Sequence, residues 1–286
     1  MAKIISMVNQ KGGVGKTTSS INLSACLAAA EKRTLLIDLD PQGNASAGVG
    51  LEKDQFTHKN IYHALIGQVA IKDAIYNTEL PNFDICPSDN NLVGAEIELV
   101  GAMAREQKLK MAFATIQHLY DFIIIDCPPS LGLLTINSLN ASDSFIVPLQ
   151  TEYFAMEGLA QLLSTVRLIN GSLNPNLYME GILLTLFDPR IKLHKQVSGE
   201  MRSHFGDKVF KTIIPRNTKL SECPSFGKPI ILYDIESKGS EAYLSLAREL
   251  IIQIKNRETS AVEENLEEEI KHAGKLEEIA REHSLQ

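Results

Sequence analysis

The sequence predicts a single-domain α/β fold in which helices cover both faces of a twisted, mostly parallel β-sheet. Short apolar runs rich in β-branched residues recur along the chain, and they are nearly continuous rather than alternating, as in strands buried on both faces. A helical pattern follows each run, and this alternation is typical of a parallel sheet. The predicted strands are Ile4–Val8, Thr34–Ile37, Phe122–Ile125, Phe145–Pro148, Gly181–Leu186 and Thr212–Ile214. The predicted helices are Thr17–Ala30, Gly94–Leu119, Met156–Ile169 and Ser240–Ile254.

Composition excludes several classes of protein. The chain has 286 residues, of which 44% are hydrophobic, enough for a large core. The apolar run near the N-terminus is too short for a signal peptide, and no stretch approaches the roughly 18 apolar residues of a membrane span. We therefore expect a cytoplasmic protein that does not enter a membrane. The scattered cysteines, which form no Cys-x-x-Cys pair, predict small core residues rather than a metal site or disulfides. They are Cys26, Cys86, Cys127 and Cys223.

Charge is distributed unevenly along the chain. The formal net charge is −7. Nine acidic and four basic residues give residues 256–286 a charge of −5, which leaves −2 for residues 1–255. Nine basic and three acidic residues give residues 190–228 a charge of +6. A nearly neutral body therefore carries one strongly basic region and an acidic tail.

The tail defines the predicted domain boundary. We expect a domain over residues 1–255 and an acidic, amphipathic, helical tail over residues 256–286. Apolar residues in this tail recur at spacings of three and four, as on one face of a helix. We favour a helix that packs on the body, and the alternative is a helix that binds a partner or associates with itself. The apolar residues are Val262, Leu266, Ile270, Ala273, Leu276 and Ile279.

A glycine-rich segment between the first predicted strand and helix matches a phosphate-binding loop. Its glycines allow backbone N–H groups to point at a phosphate, and the following helix N-terminus favours negative charge. Lys16 supplies a positive charge to the β- and γ-phosphates, and the Thr17 hydroxyl is placed to bind Mg²⁺ directly. Thr18 is expected at the α-phosphate. The predicted ATP-binding residues of the loop are Lys11, Gly12, Gly13, Val14, Gly15, Lys16, Thr17 and Thr18.

The loop departs from the general pattern at its start. Gln10 occupies the position of the usual first glycine, and Lys11 adds a second lysine. Since one lysine suffices to hold phosphates within a chain, Lys11 could point outward to a phosphate held by another copy. The alternative is that Lys11 is an ordinary exposed residue.

Three aspartates follow predicted strands. Asp38 and Asp40 lie two residues apart and therefore on the same side of an extended strand. Asp126 follows four apolar residues, as in a Walker B motif. Because ligands bind at the carboxyl ends of parallel strands, these carboxylates should lie beside the loop, where Mg²⁺-assisted phosphoryl transfer requires acids.

At this point the sequence resembles the ParA/Soj family of chromosome-partitioning ATPases, from about Lys3 to Ile254. Residues 11–18 match the deviant Walker A motif, and residues 38–44 (DLDPQGN) and 126–130 (DCPPS) match two further motifs. Residues 152–158 (EYFAMEG) and 215–230 (PRNTKLSECPSFGKPI) resemble two more.

The resemblance implies a P-loop NTPase fold that binds ATP and Mg²⁺ and closes into a two-fold homodimer. Lys11 would then reach the partner's nucleotide, and Asp40 would activate water. Asp38 and Asp126 would hold Mg²⁺ through its waters. Pro215 and Asn217 would cradle adenine. The predicted catalytic residues are Lys11, Lys16 and Asp40.

The resemblance also implies nonspecific binding of double-stranded DNA and a ParB-like centromere-binding partner that stimulates slow hydrolysis. The protein would associate with the nucleoid, and the Soj-like body favours chromosome over plasmid segregation. The basic region agrees with phosphate contacts, although its charges could equally form a solvated face. Arg216 and Lys219 belong to the family motif, and the additional DNA-binding candidates are Arg190, Lys192, Lys195 and Arg202.

Three other functions compete with this interpretation. A MinD-like ATPase at a membrane surface needs a basic amphipathic helix, whereas the tail here carries −5. An electron carrier resembling nitrogenase reductase needs cysteines for an iron–sulfur cluster, and Cys127 has no suitable partner. An ATP-gated switch that positions another cargo would use the same site, so the sequence does not separate it from a DNA-segregation ATPase.

Overall fold

A computed structural model describes residues 1–152 and 155–259 of the chain. Seven strands form one sheet in the order β3-β4-β2-β5-β1-β6-β7, and within it only the pairing of β3 with β4 is antiparallel. The predicted α/β fold is thereby confirmed. The strands are β1 Lys3–Met7, β2 Thr34–Asp38, β3 Tyr76–Asn77, β4 Phe83–Cys86, β5 Phe122–Asp126, β6 Ser144–Gln150 and β7 Tyr178–Thr185.

Burial explains the near-continuous apolar runs. Every residue of β2 and β5 is buried, as the central position of these strands requires. Alternate side chains, including Leu35 and Ile37, join a core cluster with Leu109 and Phe113. Helix α1, Lys16–Ala29, also contacts β2 and β5 and carries buried residues along most of its length. The sheet therefore has apolar packing on both faces.

The helices differ from the prediction at one long segment. Residues 94–119, predicted as a single helix, contain only short helices and turns, because the chain bends near Gly101 and again at Ala104, whose φ is 53°. The other helices of the body are α2 Asn44–Gly48, α3 Ile61–Leu65, α4 Leu92–Glu98, α5 Lys108–Phe113, α6 Leu133–Ala141, α7 Ala155–Ser172, α8 Lys192–Phe205, α9 Thr218–Glu222 and α10 Ile230–Tyr233.

One strand prediction was wrong, and two strands were not predicted. Residues 212–214 do not form a strand; isolated bridges occur on either side of them, between Ile182 and Val209 and between Phe187 and Pro215. Conversely, two short strands were missed: β3 at the edge of the sheet and β4 between β3 and β2. Pro81 and Pro87 flank β4 closely, and such short runs give little periodic signal.

The chain divides into two units, Met1–Leu246 and Ala247–Gln286, and the sheet lies in the first. A helix covers residues 238–259, α11, and so continues past the predicted boundary at residue 255. Residues 260–286 of the predicted tail lie outside the described residues, and the division at 255 stays a prediction. Among the helices described, none has the length and apolar character to cross a membrane.

Candidate functional site

The phosphate-loop residues connect β1 to α1 at the carboxyl edge of the sheet. Gly13 and Gly15 have φ values of 75° and 85°, which favour glycine, and α1 begins at Lys16. Lys16 is buried and donates from Nζ to the backbone carbonyl of Lys11 at 3.1 Å. Burial lowers the Lys16 pKa, and the nearby carboxylates of Asp126 and Asp40 oppose this shift. The loop therefore folds around the Lys16 ammonium group, and this positive charge lies where a phosphate would bind.

Asp38 and Asp126 lie side by side beneath this loop. They are register partners at the ends of β2 and β5, and both are completely buried. Burial raises the pKa of Asp38 to about 6 and that of Asp126 to about 7. Hydrogen bonds to Asp38 from Ser46, and to Asp126 from Ser20, oppose these shifts. Two adjacent buried carboxylates are costly unless a cation or its waters compensate them.

One oxygen of this pair has no protein partner. Asp126 Oδ1 accepts from Ser20 Oγ at 2.8 Å, whereas the buried Oδ2 has no hydrogen-bond partner among the described residues. Asp38 Oδ2, by contrast, accepts from both the backbone N and Oγ of Ser46, at 2.8 and 2.7 Å. The orphaned oxygen and the all-oxygen donor set fit a hydrated Mg²⁺ ion.

Asp40 occupies a tight turn after β2. Its backbone N donates to Asp38 Oδ1 at 3.2 Å, and its own Oδ1 accepts from the backbone N of Gln42 at 3.0 Å. Gly43 has a φ of 67°, and a Cβ there would lie 2.8 Å from the carbonyl oxygen of Ser88. The turn thus fixes the Asp40 carboxylate close enough to Lys16 to influence its pKa.

Lys11 is held within its own chain. Its Nζ forms a direct ion pair with Glu152, just beyond the end of β6. The Lys11 backbone N donates to Asn9 Oδ1 at 2.9 Å, and Asn9 Nδ2 donates to the carbonyl of Pro148 at 2.8 Å. The sequence motif contained Glu152 but gave no sign of this pairing, because 141 residues separate the two partners.

A cavity of about 220 Å³ adjoins the loop on the side of β7. Pro215 and Asn217 line it, where the predicted adenine contacts should lie. Asn217 Oδ1 caps α9 by accepting from Leu220 N at 3.2 Å, so its amide nitrogen is the group left for a ligand. The remaining lining residues are Gly15, Thr18, Thr185, Leu186, Ile214, Leu220, Ser221, Pro224 and Tyr243.

A larger open groove has a volume of about 860 Å³ and shares the lining residue Pro215 with this cavity. Two predicted DNA-binding residues, Arg190 and Arg216, line this groove together with the carboxylates of Asp188 and Glu241, and Arg190 forms an ion pair with Asp188 at 2.6 Å. Lys211 and Lys238 line it as well and were not proposed from the sequence. Charge counting over one continuous window could not include Lys238, which belongs to α11. We refer to the four basic side chains as the basic groove.

The other predicted DNA-binding residues lie outside the groove lining. Lys192 and Lys195 are exposed on α8. Arg202 donates from Nη2 to the carbonyl of Phe210 at 3.1 Å, and Lys219 forms an ion pair with Glu222 at 3.0 Å. The structure therefore brings together two of the six predicted cations.

Comparisons with known proteins agree with this geometry. Residues 2–179, which include the loop and all three aspartates, match a family model described as an AAA domain. The chain is 56% identical over 250 residues to the sporulation initiation inhibitor protein Soj of Bacillus subtilis, covering 87% of this chain and 98% of that protein. It is 55% identical over 251 residues to the chromosome partitioning protein ParA of Myxococcus xanthus, covering 88% of each. The solved structure of cobyrinic acid a,c-diamide synthase from Mycobacterium smegmatis, with bound ADP and magnesium, superposes with a TM-score of 0.78 at 34% identity, covering 89% of this chain and 96% of that one.

Proposed function

The chain belongs to the ParA/Soj family of chromosome-partitioning ATPases, and from this premise we propose that it hydrolyses ATP, dimerises when ATP is bound, and moves DNA with a ParB-like partner. One observation carries the ATPase assignment: the buried Lys16 ammonium and the Asp38–Asp126 pair lie together beneath a glycine-rich loop. An uncompensated carboxylate oxygen in that cluster supports a bound cation.

The residues of the site take complementary roles in hydrolysis. Lys16 and the loop N–H groups would bind the phosphates, and Mg²⁺ would be held by Thr17 directly and by Asp38 and Asp126 through water. The ion, when bound, neutralises charge on the β- and γ-phosphates. Asp40, fixed in its turn by Asp38 and Gln42, orients the attacking water and accepts its proton.

The family assignment and the exposure of Lys11 at the site support the proposed dimer. The Lys11 backbone is tied to Asn9, and its side chain lies 47% exposed at the site. In a two-fold dimer Lys11 crosses to the partner's nucleotide, so that each site is completed by the other chain. This arrangement makes hydrolysis depend on dimerisation.

We assign DNA binding to the basic groove. Arg190, Lys211, Arg216 and Lys238 surround one open space, which suits a phosphate backbone better than isolated surface charges do. Neutralising about four phosphates predicts a slope near −3.6 in a plot of log affinity against log salt. Binding of this kind reads no sequence and would place the protein on the nucleoid in the cytoplasm, with the chromosome as cargo.

Sedimentation of the wild type with ATP and Mg²⁺, with and without a duplex of arbitrary sequence, tests the proposal. We expect a dimer with ATP, a monomer with ADP, and co-sedimentation with DNA only in the ATP state. A monomer with ATP would contradict the proposed function. An ATP dimer that ignores DNA but binds anionic vesicles would favour the MinD-like alternative, and one that binds neither would favour a switch acting on another cargo.

A further inference from the structure

The ion pair between Lys11 and Glu152 occupies the side chain that the proposed dimer needs elsewhere. The two side chains are 47% and 42% exposed, so the pair lies at the surface and is open to solvent. Lys11 donates to Glu152 within one chain, whereas the proposed function places its ammonium against a nucleotide of the other chain. The same charge has two competing partners.

The surrounding contacts fix the start of the loop but leave the Lys11 side chain free to change its rotamer. Asn9 anchors the start of the loop to the carbonyl of Pro148 at 2.8 Å. Gln10 Nε2 donates to Gln161 Oε1 and to the carbonyl of Gly158 on α7. Because the side chains of Asn9 and Gln10, the two residues before Lys11, are hydrogen-bonded to β6 and α7, the start of the loop stays in place while the Lys11 side chain rotates away from Glu152.

We propose that Glu152 is a positioning residue that keeps Lys11 in its own chain until nucleotide binds, and so weakens dimerisation. This inference rests on the proposed function, because it presumes that Lys11 acts in the partner's site. Glu152 touches no part of the nucleotide in this role and acts only through the lysine. Dimerisation opens two such pairs, one in each protomer, because the dimer is two-fold symmetric.

The two-fold symmetry of the proposed dimer determines how strongly Glu152 affects the dimerisation constant. A surface ion pair alters an equilibrium by at most about five-fold, and opening two of them multiplies the effect to at most ~30-fold. Glu152→Gln removes the charge with little change in shape. We expect this variant to tighten dimerisation with a non-hydrolysable ATP analogue and Mg²⁺ by roughly 3- to 30-fold, as measured by analytical ultracentrifugation. Glu152→Asp keeps the charge and should restore a dimer constant close to that of the wild type.

Glu106→Gln is the matched control. Glu106 forms an ion pair with Arg105 at 2.8 Å, with side chains 30% and 42% exposed, so its substitution changes the net charge equally at a similar surface site. It should leave the dimer constant unchanged. The affinity of monomeric Glu152→Gln for ADP should equal that of the wild type, since the loop itself is not altered.

The outcomes separate this inference from the proposed function. If the wild type stays monomeric with the ATP analogue, the proposed dimer fails and the inference fails with it. If the wild type dimerises but Glu152→Gln dimerises equally or more weakly, only the inference is overturned. If Glu106→Gln tightens dimerisation to the same extent, the effect is one of net charge, and the inference about Glu152 is also overturned.

Discussion

The phosphate loop and the basic groove are assembled in opposite ways. The loop is eight consecutive residues, 11–18, which follow β1 and end in the first turn of α1, and two of the aspartates beside it, Asp38 and Asp126, end adjacent strands. The groove takes its cations from three segments: Arg190 after β7, Lys211 and Arg216 before α9, and Lys238 at the start of α11. A site carried by one continuous segment is visible in the sequence, whereas a surface assembled from distant segments requires the fold.

The phosphate loop and the basic groove also differ in burial. Lys16, Asp38 and Asp126 are buried and have shifted pKa values, so each depends on the others. In the groove, Arg190, Lys211, Arg216 and Lys238 are exposed. We therefore expect substitutions in the loop to have large, coupled effects and substitutions in the groove to have small, nearly additive ones.

Lys16→Ala should have the largest effect. It removes the only ammonium group that the described loop places inside the cluster, and we expect ATP turnover to fall by roughly 10²–10³-fold or more, together with a loss of ATP affinity. Binding of a fluorescent ATP analogue and phosphate release measure the two effects. Lys72→Ala, at an exposed lysine, serves as the control. Retained ATP affinity in Lys16→Ala would remove Lys16 from its assigned role.

Asp40→Ala should separate binding from turnover. The proposed proton acceptor contributes to the transition state and little to nucleotide binding, so hydrolysis should fall by roughly 10²–10⁴-fold while ATP affinity stays unchanged. The variant should accumulate as an ATP-bound dimer, which sedimentation detects. Turnover equal to that of the wild type would show that another group activates the water.

Asp126→Asn should stabilise the metal-free protein while it removes activity. Burial raises the Asp126 pKa to about 7, so the native state favours the protonated form more than the unfolded state does. The wild type should therefore lose stability as pH rises from about 4 to 7. The amide avoids this loss and should raise the free energy of unfolding at pH 8 by on the order of 2 kcal/mol. Urea unfolding with a chelator at pH 5 and pH 8 measures this difference, which should be smaller at pH 5; an equal difference at both pH values would contradict it.

The contrast between a continuous loop and an assembled groove explains how much of the site the sequence predicted. The loop, the three aspartates and the central strands lie where the sequence predicted them, because glycine conformations and buried apolar runs are local signals. Glu152 beside Lys11 and Lys238 in the groove were missed, since contacts between distant segments leave no local pattern. Arg202 was proposed from charge and Lys219 from the family motif, and the structure shows each with a protein partner, as it shows Arg190 paired with Asp188.

Charge reversal inside and outside the groove gives the smallest expected effect and tests the comparison most directly. Arg216 lines the groove, whereas Lys195 is exposed on α8 and does not. Arg216→Glu and Lys195→Glu change the net charge equally, so long-range electrostatics alone would weaken DNA binding equally. If the groove holds the phosphates, Arg216→Glu should cost about ten-fold in affinity and reduce the salt slope by about one unit, since one phosphate contact is lost. Lys195→Glu should then cost less than about three-fold and leave the slope unchanged. Fluorescence anisotropy of a labelled duplex with the ATP-bound dimer, over a series of salt concentrations, distinguishes the two. Equal losses of affinity in both variants would show that DNA binds to a diffuse basic surface. Binding would then depend on the net positive charge of the protein and not on the residues that the fold assembles in the groove.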